Sequence, residues 1–386
     1  MLTLGTTAQA IASSLLFGLP FLLPYLLRTE GLTLAQGGAL VAAPSLGLVA
    51  TLIAWGAFAD RYGERLAIAI GLGLTGIIGL ASAMVSGLGA RAVLFALMGA
   101  AGASVSSASG RLVMGWFAVH QRGVAMGVRQ TGLPLGIALA GALLPPLAAA
   151  GGLRLALAVP ATLCLVVTVA VVVLAEDPPH PAEGEHAVRP GSPYRRLILW
   201  RVHLASALLV VPQFALAAFS AEYLVSERGW HATAAGQLLA VVAVGGAAGR
   251  LAAGRWSDVV GSRLAPMRLI AVASCVSMLL IGLTASADVW LVVVALAAGS
   301  VISVADNGLG FTATAELAGR AWSGRALGVQ NTMQNVAAFA TAPLVGALAG
   351  SFGFGWAFAS VSVFAALGAW LTPVQGERLA HAGGLS

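Results

Sequence analysis

The sequence predicts an all-α integral membrane protein that crosses the bilayer many times. Of its 386 residues, 59% are hydrophobic and only 9% are charged, whereas an ordinary soluble domain carries about 25% charged residues. Apolar runs recur along the whole chain, and a helix needs roughly 20 such residues to cross a bilayer. The run from Ala156 to Ala175 stays apolar at consecutive positions, which favours a helix over the alternating strands of a membrane barrel.

Charges, glycines and prolines divide this apolar sequence into twelve predicted spans. Residues 1–10 contain no Arg or Lys, and the apolar run that follows is too long for a cleaved signal peptide, so it is expected to be the first span. The predicted spans cover residues 7–27, 35–58, 66–86, 91–114, 123–149, 153–175, 201–224, 233–256, 266–286, 289–312, 324–349 and 352–372. Closely spaced small residues, such as Gly132, Gly136 and Gly141, should let these helices approach one another.

One long polar stretch separates the sixth predicted span from the seventh. Its sequence, EDPPHPAEGEHAVRPGSPYRR, is rich in proline, glycine and charge, a composition typical of a linker. We therefore expect a first six-helix bundle over residues 1–175, a cytoplasmic linker over residues 176–200 and a second six-helix bundle over residues 201–386.

The arginines predict which side of the membrane each loop faces. All 20 basic residues are arginines, and if both termini are cytoplasmic, 13 of them lie at the inner side, four lie at the outer side and three lie within spans. Because cytoplasmic loops carry the excess of positive charge, this bias predicts an N-in and C-in orientation. The expected location is the cell inner (cytoplasmic) membrane.

Composition and motifs argue against several other functions. The basic residues are spread singly over short loops, which disfavours binding to nucleic acid. The chain has no lysine and hence no P-loop, and GLGLTG at residues 71–76 lies inside an apolar span rather than after a strand. The six histidines fall in loops or near span ends without any H-E-x-x-H cluster, and Cys164 and Cys275 stand far apart. We expect no enzyme activity, no cofactor and no metal.

Two pairs of similar sequences indicate an internal duplication. GAFADRYGER, residues 56–65, follows the second predicted span, and GRWSDVVGSR, residues 254–263, follows the eighth, 198 residues later. RGVAMGVRQTG, residues 122–132, enters the fifth span, and SGRALGVQNTM, residues 323–333, enters the eleventh, 201 residues later. These nearly equal offsets predict two parallel six-helix repeats related by an axis along the membrane normal, a build known among secondary transporters.

The repeated inner loop resembles that of the major facilitator superfamily, whose loop between helices two and three carries a motif of the type G-x-x-x-D-R-x-G-R-R. Matching residues of the first copy are Gly56, Asp60, Arg61, Gly63 and Arg65. Matching residues of the second copy are Gly254, Asp258, Gly261 and Arg263. Glu64 and Val259 stand where basic residues are usual. The resemblance covers essentially the whole chain and implies a secondary transporter of twelve helices, built as two pseudo-symmetric bundles.

The resemblance implies that these loops form a gate. Asp60 would face the start of the eleventh span near Arg325, and Asp258 would face the start of the fifth span near Arg122. A carboxylate at a helix N-terminus accepts hydrogen bonds from free amide groups and is favoured by the helix dipole, while the motif glycines would allow close helix approach. The alternative is that these charges only determine topology. The predicted gating residues are Gly56, Asp60, Arg61, Arg65, Arg111, Arg122, Gly254, Asp258, Arg263 and Arg325.

Arg250 is the strongest candidate for a substrate ligand. It precedes Asp258 by eight residues, which places it about 12 Å deeper along a helix, and a charge at such depth suggests a cavity or a relay. The string GRLAAGRWSD is similar to that of family members that carry mono- and dicarboxylates, in which an arginine at this place grips the substrate carboxylate. The planar guanidinium can pair two oxygens at once. A structural ion pair is the alternative.

Further polar residues are predicted to reach the same central cavity. Arg129 lies about 10 Å inward from Arg122 and either binds substrate or holds a structural pair. Asp306, followed by Glu222, is the candidate for proton coupling, and Asp306 either carries a proton or neutralises an arginine. The other candidates, which either line a wet cavity or bond the helices together, are Gln130, Gln213, Asn307, Asn331, Gln334 and Asn335.

Two departures from family patterns restrain the assignment. Many members have an arginine four residues before a glycine in the fourth helix, whereas this chain has Phe95 before Gly99, which argues against a proton-coupling role at that position. Drug and proton antiporters usually show G-x-x-x-G-P-x-x-G-G in the fifth helix, and GIALAGALLPPLAAAGG lacks the GP pair and the spacing. This departure weakens an efflux function.

The sequence therefore predicts a secondary transporter that takes up a small organic anion, a carboxylate held by Arg250, together with protons. The expected partners are the anionic small molecule, protons and the lipid bilayer, with no nucleic acid, and the chain is expected to act as a monomer. The alternative function is proton-driven efflux of an amphipathic drug or metabolite. A receptor or an intramembrane enzyme would need an output domain or a catalytic cluster, and the linker offers neither.

Overall fold

The computed structural model describes residues 1–116, 128–129, 131–177, 192–195, 197–286, 289–319 and 322–377. These residues form helices joined by short turns, and no strand occurs among them. The helices are α1 Leu2–Leu16, α2 Leu23–Glu30, α3 Leu34–Tyr62, α4 Glu64–Met84, α5 Leu88–Trp116, α6 Gly132–Leu174, α7 Leu197–Ser226, α8 Ala232–Val260, α9 Leu264–Thr284, α10 Val289–Ala305, α11 Asn307–Ala318 and α12 Ser323–Leu371. Two 3-10 segments, Leu19–Leu22 and Pro193–Arg195, complete the described chain.

The described residues include ten helices that are long and apolar enough to cross a membrane. The prediction of an all-helical, multi-span membrane fold is therefore confirmed. Two of the ten are far longer than the others: Gly132–Leu174 with 43 residues and Arg325–Glu377 with 53 residues. A single span needs about 20 residues, and both long helices contain non-helical glycines, at Gly151 and Gly152 in the first and at Gly353 in the second. Twelve spans and the N-in and C-in orientation stay predictions.

The first predicted span, residues 7–27, is not one continuous helix. α1 ends at Leu16, a 3-10 turn covers Leu19–Leu22, and α2 continues to Glu30. Proline has no amide hydrogen and its ring clashes with the preceding turn, so Pro20 and Pro24 each stand in the first turn of a new segment.

Unit 1 is a compact body formed by residues 1–183 and 221–244. Its core consists of buried leucines, alanines and aromatic side chains, among them Leu15 and Phe95. Glycines bring its helices into backbone contact: a Cβ built at Gly136 would overlap the carbonyl oxygen of Ala10, and one built at Gly99 would overlap that of Pro44. The prediction that small residues allow close helix packing is confirmed.

Unit 1 also contains a crossing of α6 and α8 at two glycines. A Cβ built at Gly141 would lie 2.7 Å from the carbonyl oxygen of Gly236, and a Cβ at Gly236 would in turn overlap the carbonyl oxygen of Gly141. Real Cβ atoms do not approach other atoms that closely, so only glycine at both positions permits this contact.

Unit 2 is formed by residues 184–220 and 245–386. Its apolar core includes Val202 and Leu209 of α7, Met267 of α9 and Leu309 of α11. α7 contributes residues to both units, so the boundaries of the units differ from the predicted domain boundaries at residues 176–200. The predicted division into two six-helix bundles stays a prediction.

Candidate functional site

Arg250 lies where α8 packs tightly against α10 in unit 2. Two glycines make this approach possible: a Cβ at Gly246 would lie 2.9 Å from Val304 Cγ2, and one at Gly249 would lie 3.1 Å from Val301 Cγ1. The Nε of Arg250 donates a hydrogen bond to the carbonyl oxygen of Val304 at 3.1 Å. Within the described part of the chain, the two terminal nitrogens of this guanidinium make neither a hydrogen bond nor an ion pair.

Asp306 stands at the junction of α10 and α11, where its backbone keeps helical angles (φ −75°, ψ −21°) and the two helices belong to one apolar segment, Trp290–Ala318. The residue lies between Ala305, which ends α10, and Asn307, which begins α11, and its side chain makes no hydrogen bond to cap α11. Asp306 is 2% exposed, and its Oδ2 has no hydrogen-bond partner among the described residues. Its charge interacts with that of Arg250, although no nitrogen of that arginine comes within ion-pairing distance of the carboxylate. A half-buried guanidinium and a buried carboxylate are thus near each other without a direct bond.

Gln213 and Asn307 lie together beside the junction of α10 and α11. The Nδ2 of Asn307 donates to the Oε1 of Gln213 at 2.9 Å, and both side chains are half-buried. The predicted pair is therefore brought together in unit 2, at the first residue of α11.

The three predicted residues of α12 share one face but behave differently. Asn335 Nδ2 donates to Asn331 Oδ1 at 2.8 Å, so these two amides bond to each other. Gln334 is 8% exposed, and its Nε2 has no partner in the described structure. Only Gln334 of the three therefore leaves a buried polar atom without a bond.

Arg129 and Glu222, by contrast, belong to unit 1. Arg129 Nη2 donates to the carbonyl oxygen of Ser106 at 2.9 Å. Glu222 is 6% exposed, its charge interacts with that of Arg28, and its Oε2 has no partner among the described residues. The predicted neighbour Gln130 lies outside the described residues.

The predicted gating residues of the second loop form contacts with their own surroundings in unit 2. Arg263 forms ion pairs with Asp258 and with Glu316, the latter at 3.2 Å. Arg325 places its guanidinium 4.9 Å from the ring centre of Trp322. A Cβ at Gly254 would meet no described atom within 4 Å.

In the first loop, the motif residues are placed differently. Arg61 is exposed and stacks 5.4 Å above the ring of Tyr62, and a Cβ at Gly56 would meet no described atom within 4 Å. Asp60 lies in α3 and Arg111 lies in α5, and the structure describes the backbone of these two residues but not their side chains. Arg122 lies outside the described residues. The proposed contacts of Asp60 with the start of the eleventh span, and of Asp258 with that of the fifth, stay predictions.

Sequence analysis missed a buried polar cluster around His203. This side chain is 0% exposed; its Nδ1 lies 2.5 Å from Gln330 Oε1, and its Nε2 lies 3.2 Å from the hydroxyl of Tyr194. The Thr314 hydroxyl also approaches Gln330 Oε1, at 3.4 Å. The signal that the sequence offered was a histidine facing the same side of its span as Ser206, one turn further on.

Sequence analysis also missed two acids that close the motif loops. Asp177 Oδ1 accepts from the backbone N–H of Arg65 at 2.7 Å, and Glu377 Oε1 accepts from that of Arg263 at 2.7 Å. The two acids are 200 residues apart, an offset close to that of the motif copies, and this was the available signal.

The best-formed site is the group around Arg250 and Asp306. The Arg250 guanidinium has two terminal nitrogens without a bond among the described residues, and such a fork can pair with both oxygens of a carboxylate. Within the described residues, no group of three or more His, Cys, Asp or Glu side chains could hold a metal ion.

Comparison with known proteins shows the family. The family model described as Major Facilitator Superfamily matches residues 2–342 and, again, 202–381. A protein of Mycobacterium tuberculosis named "Uncharacterized MFS-type transporter Rv2994" is 43% identical over 379 residues, which are 97% of this chain and 84% of that relative.

Solved structures share the fold. A bacterial homologue of the human lysosomal transporter Spinster, in an inward-facing and occupied conformation, superposes with a TM-score of 0.82 over 96% of this chain and 95% of that one, at 14% identity. The xylose transporter XylE from E. coli, in an inward-open conformation, has a TM-score of 0.75 over 96% and 95%, also at 14% identity. The family model and the 43% identical relative show that the chain belongs to the Major Facilitator Superfamily of transporters, and the solved structures share its fold.

Proposed function

We propose that this transporter takes up a small organic anion, a carboxylate, together with protons, and that Arg250 binds the carboxylate. One observation carries the proposal. Among the described residues, the Arg250 guanidinium makes one hydrogen bond, from Nε to the carbonyl oxygen of Val304, and its two terminal nitrogens make none. A charge is expensive to keep within an apolar bundle. A guanidinium that is not permanently paired there suits a ligand that comes and goes.

Asp306 supplies the coupling to protons in this proposal. A buried carboxylate needs a compensating positive charge or a proton, and the nearby guanidinium provides that charge while the site is empty. When an anion binds to Arg250, that compensation is shared, and Asp306 gains from taking up a proton. Anion binding and proton binding then favour each other, because coupling between two sites is reciprocal.

The remaining site residues have supporting roles. Gln213 and Asn307 are hydrogen-bonded to each other beside the junction of α10 and α11. They would contact the part of the substrate beyond its carboxylate and so determine which carboxylates bind. Glu222 is a second proton site in unit 1, where Arg129 also lies, and the motif residues form the gate. We further infer twelve spans, both termini in the cytoplasm, the cell inner membrane as location and a monomer as the working form.

Reconstituted vesicles test this function directly. Vesicles carrying the purified protein are given labelled lactate or succinate, with the outside more acidic than the inside. We expect accumulation that collapses when a protonophore removes the gradient. Arg250→Ala should lower uptake by at least about 100-fold, since one well-placed charged hydrogen-bonding group is worth about 3 kcal/mol.

A matched pair of variants isolates the planar fork. Arg250→Lys keeps the charge and loses the bidentate geometry, so it should fail almost as badly as Arg250→Ala. Arg268→Lys is the control, because Arg268 is exposed on α9 and should transport normally. Full carboxylate uptake by Arg250→Ala would overturn the proposal. Export of an amphipathic amine against a proton gradient, without carboxylate uptake, would support efflux instead.

A further inference from the structure

Three helices of unit 2 turn polar residues toward one another. Residues three, four or seven positions apart lie on one face of a helix, and the polar residues in question follow these spacings. They are His203, Ser206 and Gln213 on α7, Asn307 and Thr314 on α11, which flank Gly310, and Gln330 and Gln334 on α12. Contacts join several of them across helices, at Gln213–Asn307 and at His203–Gln330–Thr314.

One end of this series is closed by His203 and Tyr194. Gln330 Oε1 can only accept, so the Nδ1 of His203 carries the proton that joins them at 2.5 Å. The Nε2 of the neutral ring then accepts from the Tyr194 hydroxyl at 3.2 Å. Burial raises the pKa of Tyr194 above its ordinary value, so this hydroxyl keeps its proton at physiological pH.

The middle of the series holds buried polar atoms that lack partners among the described residues. A Cβ built at Gly310 would lie 2.6 Å from Ser206 Oγ and 3.3 Å from Gln330 Nε2. Both atoms are buried and make no hydrogen bond within the described residues, and neither does Gln334 Nε2 one turn further along α12. Glycine at 310 therefore keeps side-chain bulk out of the place where these groups converge.

The other end of this series of polar residues is Asp306, at the junction of α10 and α11. Its buried Oδ2 is a fourth atom of this series without a partner in the described chain, and the bonded pair Gln213 and Asn307 lies beside it. From Gln213 to His203 the series extends over ten residues of α7, about 15 Å along the helix axis.

Four buried polar atoms without partners would be costly if the space between them were dry. Each buried group left unbonded costs about 1–3 kcal/mol, and ordered water normally satisfies such groups inside proteins. We propose that these side chains of α7, α11 and α12 form a hydrated track through unit 2 that carries protons between Asp306 and the end closed by His203 and Tyr194. The inference rests on the proposed proton coupling and adds the route.

His203 can pass a proton along this route without any redox change. A proton taken up at Nε2 from the Tyr194 side gives an imidazolium with an N–H bond at each nitrogen. Rotation of the ring then brings Nε2 to water beside Gln330, and loss of the Nε2 proton to that water completes the transfer. Rotation back restores the starting position, with the ring in its first tautomer. The reverse sequence carries a proton outward from Asp306.

The charged groups around His203 are engaged elsewhere. On its own helix, Arg201 donates to the carbonyl oxygen of Leu371. On α12, Arg325 stacks on Trp322, and on α11, Glu316 pairs with Arg263. Tyr194 is the titratable group that bonds to the ring, so the proton state of His203 follows the track and the solvent rather than a fixed ion pair.

Silver ions test whether the track is wet, without any need for transport. The native thiols are removed by Cys164→Ala and Cys275→Ala, and Ser206→Cys is compared with Ala205→Cys, whose parent residue is 0% exposed in the apolar core of unit 2. Occupancy by Ag⁺ is measured as protection from a maleimide mass tag after denaturation. Because a hydrated thiol ionises and binds metal more readily, Ser206→Cys should be occupied at least about tenfold faster. Equal rates would overturn the proposal.

A second measurement tests whether the track carries protons. His203→Gln keeps a polar side chain but cannot exchange a proton. Lactate uptake driven by a pH gradient should fall by at least about tenfold, whereas lactate counterflow at equal pH should fall far less. The matched control His231→Gln changes an exposed histidine and should alter neither.

The outcomes separate the two proposals. If uptake and counterflow fall by the same factor in His203→Gln, the residue is structural and the track is wrong. If the unmodified protein carries neither lactate nor succinate, the proposed cargo fails, and the silver rates still decide whether the hydrated track exists.

Discussion

The α3–α4 turn and the α8–α9 turn carry the two copies of one motif, yet a different acid closes each turn. In both, a glycine takes a positive φ, 93° at Gly63 and 66° at Gly261. In both, a carboxylate from beyond the last helix of the same half accepts the backbone N–H of the motif arginine at 2.7 Å, from Asp177 in the first copy and from Glu377 in the second.

The surroundings of the two acids differ. Asp177 is exposed and lies so near Gly63 that a Cβ there would overlap its Oδ2. Glu377 is 3% exposed and accepts in addition from the Ser262 hydroxyl and the backbone N–H of Leu264. A Cβ at Gly261 would meet no described atom within 4 Å. The first turn thus brings a short acid close to bare backbone, and the second uses a longer acid with more donors.

The arginine side chains differ as well. Arg65 donates to the carbonyl oxygen of Val172, whereas Arg263 pairs with Asp258 and Glu316. What the two turns have in common is the bond between an acid and the backbone of the motif arginine. Among the described residues, the two turns therefore share a helix cap, and the arginine of the second turn also forms ion pairs.

Removal of the two acids should give the largest difference between the copies. Glu377→Ala leaves three donors without a carboxylate in a buried place, and we expect a loss of about 3 kcal/mol in the free energy of unfolding. Asp177→Ala removes an exposed cap worth about 1 kcal/mol. Thermal unfolding in detergent, followed by tryptophan fluorescence, measures both. Equal losses would contradict the distinction between a buried and an exposed cap.

Substitution of the two glycines should give an intermediate difference. Gly63 has φ 93° and ψ 157°, a region open almost only to glycine, so Gly63→Ala should cost about 2 kcal/mol. Gly261→Ala meets open space and should cost about 1 kcal/mol for its positive φ alone. The double variant Gly63→Ala with Asp177→Ala should lose less than the two single losses combined, because the overlapping partner is gone. Strict additivity would count against the close contact.

Loss of the arginine side chains should give the smallest difference. Arg263→Ala removes two partly exposed ion pairs and should cost about 0.5–1 kcal/mol at low ionic strength. The cost should shrink in about 1 M salt, where charges are screened beyond roughly 3 Å. Arg65→Ala loses a bond to a neutral carbonyl and should be insensitive to salt. Unfolding of both variants at two salt concentrations tests this, and a salt-independent cost of Arg263→Ala would exclude the ion pairs as its cause.

Much of the fold could be predicted because it depends on local composition. Apolar runs between charges gave helices near their observed positions, and the predicted boundary between the fifth and sixth spans falls at the non-helical glycines Gly151 and Gly152. The tenth predicted span ends at residue 312, whereas the apolar helical segment continues to Ala318. Asp306 keeps helical backbone angles within it, although Asp, Asn and Gly in sequence are weak helix formers.

The site was less predictable because it depends on contacts across the chain. The depth of Arg250 followed from its spacing to Asp258, but its bond to Val304 requires two glycines of α8 to meet two valines of α10. His203 bonds to Gln330 across 127 residues. A single sequence shows which face of a helix a residue occupies and does not show which helix will lie opposite.

The glycine crossing of α6 and α8 in unit 1 has a mechanical consequence. Gly141 and Gly236 meet backbone to backbone, with the side chains of Phe21 and Pro145 beside the contact. Weak backbone contacts between helices, such as Cα–H···O, are individually worth under about 1 kcal/mol. The contact itself is therefore weak enough to break and re-form repeatedly. An alanine at either position would prevent it from forming, because the added Cβ would come too close to the opposing carbonyl oxygen.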